Sequence, residues 1–518
     1  MDPLRTTKSD TEMAVYIEAT KEQVIDTSET IDDEAQIAIE KNLRHKLDRR
    51  ILPLGIIVYL MAQIDRSNMS NAAVLGIRED ANLTGDRFNI SLTLFFVTYI
   101  IFEIPANMCC KRFGPRIWLS FITLGFGATT ACMSLCSSYS SLIACRLILG
   151  MFEAGVQPGL MFVYAQFYRR QELGSRWGIK AAAGSVAGAF GGLLGSGLGN
   201  IPKAGPFERW RWIFLIEGLI TVVIAGIVYW FMPKDVASAT FLTEEERRVA
   251  AGRIATENKA SGAGEDLSPW RLDVLRKAIF NANTQLVGLG IMTSLLSLTS
   301  LSLFMVSHHH RSSQGSLQAN KYLKPSLIKS MGYSTTHAQL LTVPPYVFAA
   351  CVCIGASFAS DRLRSRGLVI MALTPLTAIG FILLAFVPST AVRYFALFLT
   401  TAPAFTCSPL LLTWVVGNSA GPSVRAIVSA YAVGEGNVGA IIATWTFLPA
   451  EGPRYLKGHL INFGGSCVLL VVVITTHLYL KRENRLRAAG RRDHRLANAT
   501  DQEKWRLGHR HPQFKYMT

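Results

Sequence analysis

The chain has little charge for its length, and it lacks the local motifs from which enzymes are recognised. Asp, Glu, Lys and Arg make up 17% of its 518 residues, whereas 50% are hydrophobic, a balance too apolar for a soluble enzyme of this size. It has no phosphate-binding loop, and none of its nine cysteines stands at metal-ligand spacing with a histidine or an acidic residue. We therefore expect no enzymatic activity, no metal and no cofactor.

What the chain has instead is about a dozen apolar runs of roughly 20 residues, each long enough for a helix to cross a bilayer. The predicted spans are Ile51–Val74, Phe88–Met108, Ile117–Leu135, Ser141–Tyr164, Ile179–Leu198, a sixth ending at Met232, Leu286–Val306, Ala338–Phe358, Leu368–Val387, Val392–Val415, Ala426–Leu448 and Leu460–Leu480. The basic turn Lys111–Arg116 is repeated at Asp361–Gly367, which indicates an internal repeat. The sequence predicts an all-α membrane protein with twelve transmembrane helices in two pseudo-symmetric six-helix halves.

The polar segments between and around the apolar runs divide the chain into five parts. We predict a disordered cytoplasmic tail at residues 1–46, the N-terminal half at 47–232, a cytoplasmic linker at 233–280, the C-terminal half at 281–480 and a basic cytoplasmic tail at 481–518. In the linker, Thr243 to Glu246 has the capping-box pattern that opens a helix.

The net charge of +16 is divided among short segments between the apolar runs, a pattern of membrane topology rather than of nucleic-acid binding. The positive-inside rule places both termini and the basic turns in the cytoplasm, and no cleavable signal peptide is visible before Ile51. Asn82, in an Asn-Leu-Thr sequon after the first span, then lies outside the cell and is a candidate glycosylation site.

Asp65 and Arg66 stand side by side in the second half of the first span. An ionised side chain at membrane depth costs roughly 2.5 to 3.5 kcal/mol unless it faces a partner or a wet cavity, so such a pair indicates function. The alternative is a span that starts earlier and leaves the pair at its outer edge. Asn68, Ser70 and Asn71 extend the same polar face.

The fourth span adds a second arginine and a carboxylate. Arg146 and Glu153 are seven residues apart, which is two helical turns, so they share one face. A guanidinium in a cavity binds a carboxylate through two hydrogen bonds, and the protonation of a buried Glu can be switched by an arriving anion. These residues predict proton-coupled movement of an organic acid, the alternative being a structural Arg146–Glu153 bridge.

The fifth span contains glycines spaced by four, at Gly184, Gly188 and Gly192. Such ridges let helix backbones approach closely. Packing alone and a gating hinge are the two interpretations.

The chain resembles the anion:cation symporters of the major facilitator superfamily, specifically the fungal allantoate and nicotinate permease type. The resemblance covers about Leu47 to Leu480. It rests on Asp65-Arg66-Ser-Asn68 with Asn71-Ala72, Phe102-Glu103-Ile-Pro105 with Asn107, Arg146 to Gly159, Ser185 to Gly192, Trp210-Arg-Trp-Ile-Phe with Glu217-Gly218, and Leu341 to Tyr346. It implies the major facilitator fold.

The resemblance also implies roles for single residues. Arg66 would contact the anion, Asp65 and Glu153 would take protons, and Arg146 would link protonation to the substrate. The other implied substrate contacts are Tyr99, Trp414 and Asn437, with plain packing as the alternative for Trp414 and Asn437. The implied gating residues of the two basic turns are Arg112, Arg116, Asp361 and Arg362.

Two departures from the family pattern stand out. Lys111 occupies a position where the family usually has Asp, which removes one partner of a gating salt bridge. The segment Val306–Lys324 is inserted before the Pro325–Lys329 element; its His308–His310 run lacks the further ligands of a metal site, and a translated intron or a tolerated outer loop is the expected origin.

Residues and resemblance together predict a proton-driven importer at the plasma membrane for a small carboxylate of the nicotinate, pantothenate, biotin or allantoate kind. An exporter of an organic acid or secondary metabolite is the alternative. The expected partners are the anion, protons and the lipid bilayer, without nucleic acid, and the expected state is a monomer.

Overall fold

The computed structural model describes residues 8–198, 208–260, 272–304, 341–447, 454–496 and 508–518. Within these ranges the regular secondary structure is helical. The inserted segment Val306–Lys324, the His308–His310 run inside it and the first residues of the predicted eighth span lie outside the described residues.

Sixteen α-helices make up the described chain. They are α1 (Lys8–Val74), α2 (Ile77–Asp80), α3 (Arg87–Phe113), α4 (Pro115–Met133), α5 (Tyr139–Glu153), α6 (Val156–Phe167), α7 (Arg170–Leu198), α8 (Arg209–Phe231), α9 (Glu244–Ala260), α10 (Leu272–Ile279), α11 (Ala282–Phe304), α12 (Val343–Leu363), α13 (Arg366–Phe386), α14 (Thr390–Gly417), α15 (Pro422–Thr444) and α16 (Leu456–Ala488). We call α1–α8 the N-terminal half and α11–α16 the C-terminal half.

Nine helical stretches of the described residues are long and apolar enough to cross a membrane. They are α3, α5 with α6, α8 and each helix from α11 to α16. The other predicted spans lie in α1, α4 and α7, where charged, hydroxyl or small residues interrupt the apolar run. The architecture agrees with the predicted all-α membrane protein.

The N-terminal segment differs from the prediction. We expected a disordered tail to residue 46, but α1 begins at Lys8 and runs unbroken into the first span. The turns of α1 that precede the first span are held by the ion pairs Glu40–Arg169 at 2.8 Å, Lys46–Glu246 at 2.7 Å and Asp48–Arg176 at 2.9 Å. Because each partner lies at least 128 positions away in the chain, the polar composition of the segment could not reveal them.

Helix α9 starts where its capping box was predicted. The Thr243 backbone N–H donates to Glu246 Oε2 at 2.9 Å, and the Glu246 N–H donates to Thr243 Oγ1 at 3.3 Å. These reciprocal bonds satisfy backbone groups that a helix start leaves unpaired. The capping-box prediction is confirmed.

The predicted fourth span is divided into two helices. Helix α5 ends at Glu153 and α6 begins at Val156, so the break comes immediately after the buried carboxylate. Pro158 explains it, because a proline has no N–H for the carbonyl four residues earlier and its ring crowds that carbonyl.

The two halves meet mainly along two helix pairs. Helix α7 packs against α12, and α3 packs against α15. On the side of the basic turns, Ser175 N donates to Asp361 Oδ2 at 2.6 Å in the first pair. In the second pair, Asn107 Nδ2 donates to the Ala426 carbonyl at 2.5 Å. The space left between the halves holds the candidate site.

Candidate functional site

A cavity of about 100 Å³ lies between the halves, which is room for several water molecules or for one small organic ion. It is lined by residues of α1, α3, α5, α6 and α7 on one side and of α11, α12, α14 and α15 on the other. Of the described residues that line it, three are basic and none is acidic: Arg66, Arg146 and Lys180. The rest of the wall is largely aromatic, aliphatic or hydroxyl-bearing.

Arg66 of α1 is bound to a buried carboxylate. Its Nε lies 2.5 Å from Glu153 Oε1, where Glu153 has no exposed side-chain surface and Arg66 keeps 24%. The Arg66 guanidinium also lies 4.8 Å from the centre of the Tyr99 ring and 5.7 Å from that of Phe95, within the range of cation–π attraction. The predicted Arg66, Glu153 and Tyr99 are therefore together.

Arg146 of α5 is buried at the cavity wall, and some of its guanidinium nitrogens have no hydrogen-bond partner. Its Nε and Nη2 have no hydrogen-bond partner, and only 2% of the residue is exposed. The charged groups that act on it most strongly are Asp65 and then Glu153. Asp65 itself accepts a hydrogen bond from Thr130 Oγ1 at 2.9 Å, and its Oδ2 is unpaired. Arg146 is thus available to a ligand from the cavity.

The pairing differs from the Arg146–Glu153 bridge considered from the sequence. Glu153 bonds Arg66 of a different helix, and Asp65 is the carboxylate that acts most strongly on Arg146. The reason is the helix rise: seven residues separate Arg146 and Glu153 by about 10 Å along α5, so the carboxylate is closer to a neighbouring helix.

Asn437 and Trp414 have different surroundings. Asn437 of α15 lines the cavity and donates to the Val433 carbonyl at 2.9 Å. The structure does not bring Trp414 to the cavity: its indole N–H donates to the Met517 carbonyl at 2.8 Å. The position of Trp414 in an apolar run carried no information about that distant segment.

The four predicted gating residues also differ in their surroundings. Asp361 of α12 reaches across to the Ser175 N–H at the start of α7 and lies 3.8 Å from Arg366 Nη2. Arg116 stays within its own half and donates to the Tyr229 carbonyl at 2.7 Å. Arg112 and Arg362 are exposed. Of these four, the structure brings only Asp361 to a contact between the halves that involves described residues.

The glycines of α7 allow close packing of the halves. A Cβ atom on Gly188 would lie 2.8 Å from the Tyr346 ring of α12, and one on Gly178 would overlap Ser357. Gly184 instead faces Tyr59 and Gln63 of α1. The packing interpretation has direct support here, whereas Gly192 belongs to a part of α7 whose side-chain environment is not described.

Sequence reasoning missed Lys180 of α7. Its ammonium lies 3.5 Å from the centre of the Tyr59 ring and 3.6 Å from that of Trp177, and it lines the cavity. The available signal was a lone lysine inside a span that otherwise consists of small and apolar residues.

Asn82 is exposed in the turn between α2 and α3, with a φ angle of 52°. Asparagine adopts this left-handed conformation more readily than most residues. The position is accessible to modification, and its glycosylation stays a prediction.

Comparison with known proteins identifies the family to which this chain belongs. Residues 55–444 match the model of the Major Facilitator Superfamily. An uncharacterised transporter of Schizosaccharomyces pombe is 34% identical over 458 residues, which cover 87% of this chain and 85% of that protein. The MFS-type transporter efuF of Hormonema carpetanum is 31% identical over 491 residues, which cover 93% and 94%.

Among solved structures, the proton:xylose symporter XylE of E. coli has the same fold. It aligns with a TM-score of 0.64 at 14% identity and covers 83% of this chain and 94% of that one. The chain belongs to the Major Facilitator Superfamily and is a multi-pass membrane transporter, not an enzyme.

Proposed function

We propose that this transporter is of the anion:cation symporter type and imports a small organic anion, a carboxylate of the nicotinate, pantothenate or allantoate kind, together with protons across the plasma membrane. The observation that carries the proposal is that Arg146 lines the cavity while buried, with two guanidinium nitrogens that have no hydrogen-bond partner. A buried cationic group with free donors is costly, and an arriving carboxylate removes that cost. Both termini and the basic turns face the cytoplasm in this proposal.

Arg66 and Glu153 supply the coupling. A substrate carboxylate that binds Arg66 competes with Glu153, which lies 2.5 Å from Arg66 Nε. Two carboxylates against one guanidinium repel each other, so binding of the anion favours protonation of Glu153. The anion and the proton then enter together, and each leaves more easily once the other has gone.

Arg146 and Asp65 form the second pair of the same site. Asp65 is fixed by Thr130 and acts on Arg146 from behind the cavity wall. Protonation of Asp65 would remove the negative charge that partly balances Arg146, and Arg146 would then attract the substrate anion more strongly. The two pairs give the site two proton-accepting carboxylates, neither of which lines the cavity itself.

Uptake of labelled nicotinate, pantothenate and allantoate by cells expressing the chain tests the proposal. We expect at least one acid to accumulate above its outside concentration and a protonophore to abolish the accumulation. Uptake that is unchanged by the protonophore would contradict proton coupling, and efflux from preloaded cells driven by the proton gradient would contradict import.

Substitution of Arg66 by Lys tests the anion contact. We expect affinity for the acid to fall roughly 10- to 100-fold although the charge is kept, because an ammonium cannot form two parallel hydrogen bonds and a charged hydrogen bond is worth about 1.5 to 3 kcal/mol. Equilibrium binding to purified protein measures it, with Lys41→Arg at an exposed position of α1 as the matched exchange. Wild-type affinity in the Arg66 variant would show that Arg66 does not hold the anion.

A further inference from the structure

Lys180 is a buried cation at the cavity wall to which the proposed mechanism assigns no role. Only 1% of the residue is exposed. Its ammonium lies between the Tyr59 ring of α1 and the Trp177 ring of its own helix, at 3.5 and 3.6 Å from the ring centres. The two rings hold the ammonium at the edge of the cavity.

Unlike the two arginines, Lys180 has no carboxylate partner among the residues that the structure describes. Glu153 pairs with Arg66, and Asp65 acts on Arg146. No carboxylate of the described residues lies within 4 Å of the Lys180 ammonium, and the cationic group that acts on it is Arg66. Aromatic rings offset about 2 kcal/mol of the desolvation of a cation, less than a buried charge loses when it leaves water. The charge at this position is therefore left for a ligand to balance.

Lys180 and Arg66 stand at different levels of the cavity. Tyr59, whose ring contacts the ammonium, comes two helical turns before Arg66, so the backbones of these two residues are about 10 Å apart along α1. Phe95, Tyr346 and Phe405 are among the residues that line the cavity. A ligand that reaches both cations is elongated, with an acidic group at each end and an apolar body between them.

We propose that Lys180 receives a second acidic group of the substrate, so that the preferred anion carries two acidic groups rather than one. This rests on the proposed function, because the first acidic group binds Arg66 and Arg146. Within the small organic anions it selects dicarboxylates over acids of the nicotinate kind.

Matched pairs of acids test it on the full chain in lipid nanodiscs. The probes are benzoate with benzene-1,4-dicarboxylate, and hexanoate with hexanedioate, titrated by calorimetry. The variants are Lys180→Gln, Lys180→Met, which keeps the apolar stem, and Lys180→Arg, which keeps the charge. Lys41→Gln removes one positive charge from an exposed position and serves as the control.

We expect the wild-type protein to bind a dicarboxylate at least tenfold more tightly than its monocarboxylate partner. In Lys180→Gln and Lys180→Met the ratio should fall to about two, with monocarboxylate affinity changed less than threefold, while Lys180→Arg keeps part of the preference. Retained monocarboxylate binding also shows that the neutral variants are folded.

Equal wild-type affinity for the two acids of each pair, or equal losses for both acids in the neutral variants, would overturn the role of Lys180 and leave the proposed function standing. If the folded wild-type protein binds none of the four acids but accumulates nicotinate, pantothenate or allantoate, this inference alone fails. If it also accumulates none of those three acids, the proposed function fails with it. The Arg66→Lys variant separates the role of Arg66 from that of Lys180, because its affinity should fall equally for both acids of a pair.

Discussion

In the proposed mechanism, substrate binding and proton transfer meet at Glu153, because its carboxylate holds the Arg66 guanidinium that faces the cavity. Glu153→Gln mimics the protonated form, so we expect exchange of substrate across the membrane to stay within about threefold of wild type. Accumulation driven by a pH gradient should disappear, because no proton is released at this position. Counterflow and proton-driven uptake in the same vesicles measure the two quantities.

The matched control is Glu217→Gln. Glu217 is also buried, but it accepts from the Asn68 amide, a neutral contact that glutamine can keep, so both activities should survive. If Glu153 is only structural, its Gln variant leaves Arg66 without a counter-charge, and protein level, binding and exchange should fall together. Normal accumulation in Glu153→Gln would remove the coupling role.

Single charged residues inside apolar runs were the part of the site that the sequence could reveal. Asp65, Arg66, Arg146 and Glu153 stand out because the apolar runs around them contain few other charged residues. Which carboxylate meets which arginine depends on how α1 is placed relative to α5, and no local pattern encodes it. Lys180 carried the same kind of signal, and Trp177 is three residues before it on the same helix, but the Tyr59 ring became visible only when α7 was placed against α1.

Among the elements, α9 is fastened to the start of the first span by Glu246. Burial opposes ionisation of this carboxyl, but hydrogen bonds from Lys46 and Thr243 outweigh it and lower its pKa below the ordinary 4.5. Its stabilising contribution is therefore complete above pH 4.5 and is lost only as the pH falls below that value. Near neutral pH the contact is intact.

Glu246→Gln should loosen α9 without affecting the spans. The loss of the charged contact with Lys46 costs about 1 kcal/mol, so we expect amide exchange in α9 to accelerate roughly fivefold. Hydrogen exchange followed by mass spectrometry measures it, with the exposed neighbour substitution Glu245→Gln as control. Equal acceleration in both variants, or a loss of wild-type protection between pH 5 and pH 8, would be inconsistent with the assignment.

Whole helices were more predictable than their partners. Length and hydropathy are local, and this is why the spans in α8 and in α11 to α15 could be placed from the sequence within a few residues. The contact of α7 with α12 joins Gly178 to Ser357 across the two halves. The glycine spacing in the sequence did not indicate which helix packs against α7. The division of the fourth span after Glu153 could have been predicted from Pro158.

At the scale of the molecule, the segment 508–518 is fastened to the C-terminal half. The Met517 carbonyl accepts from Trp414 and from Asn418, and Tyr516 exchanges two backbone hydrogen bonds with the Asn484 side chain. This segment was predicted only as part of a basic cytoplasmic tail. Charge composition indicates the side of the membrane, but the docking depends on single amide and indole groups far away in the chain.

Trp414→Phe tests whether this tryptophan serves the segment or the substrate. Phenylalanine keeps an aromatic ring but removes the N–H, at a cost of about 1 kcal/mol, so Tm should fall by roughly 2 to 4 °C. Affinity for the transported acid should stay within twofold, because Trp414 does not line the cavity. Thermal unfolding and equilibrium binding give the two values. A tenfold loss of affinity without a change in Tm would restore the substrate role implied by the family resemblance.

The contacts that join the halves on the side of the basic turns share a chemical form with a consequence for variation. Asp361 accepts from the backbone N–H of Ser175, and Asn107 donates to the backbone carbonyl of Ala426. Each of these two hydrogen bonds thus joins a side chain of one half to a main-chain group of the other half. A substitution of Ser175 or Ala426 leaves the main-chain partner in place, although both residues are buried and a larger side chain must still fit; proline at position 175 is the exception because it has no N–H. Asp361 and Asn107 have no such freedom, so mutational tolerance on the two sides of each contact is unequal by construction.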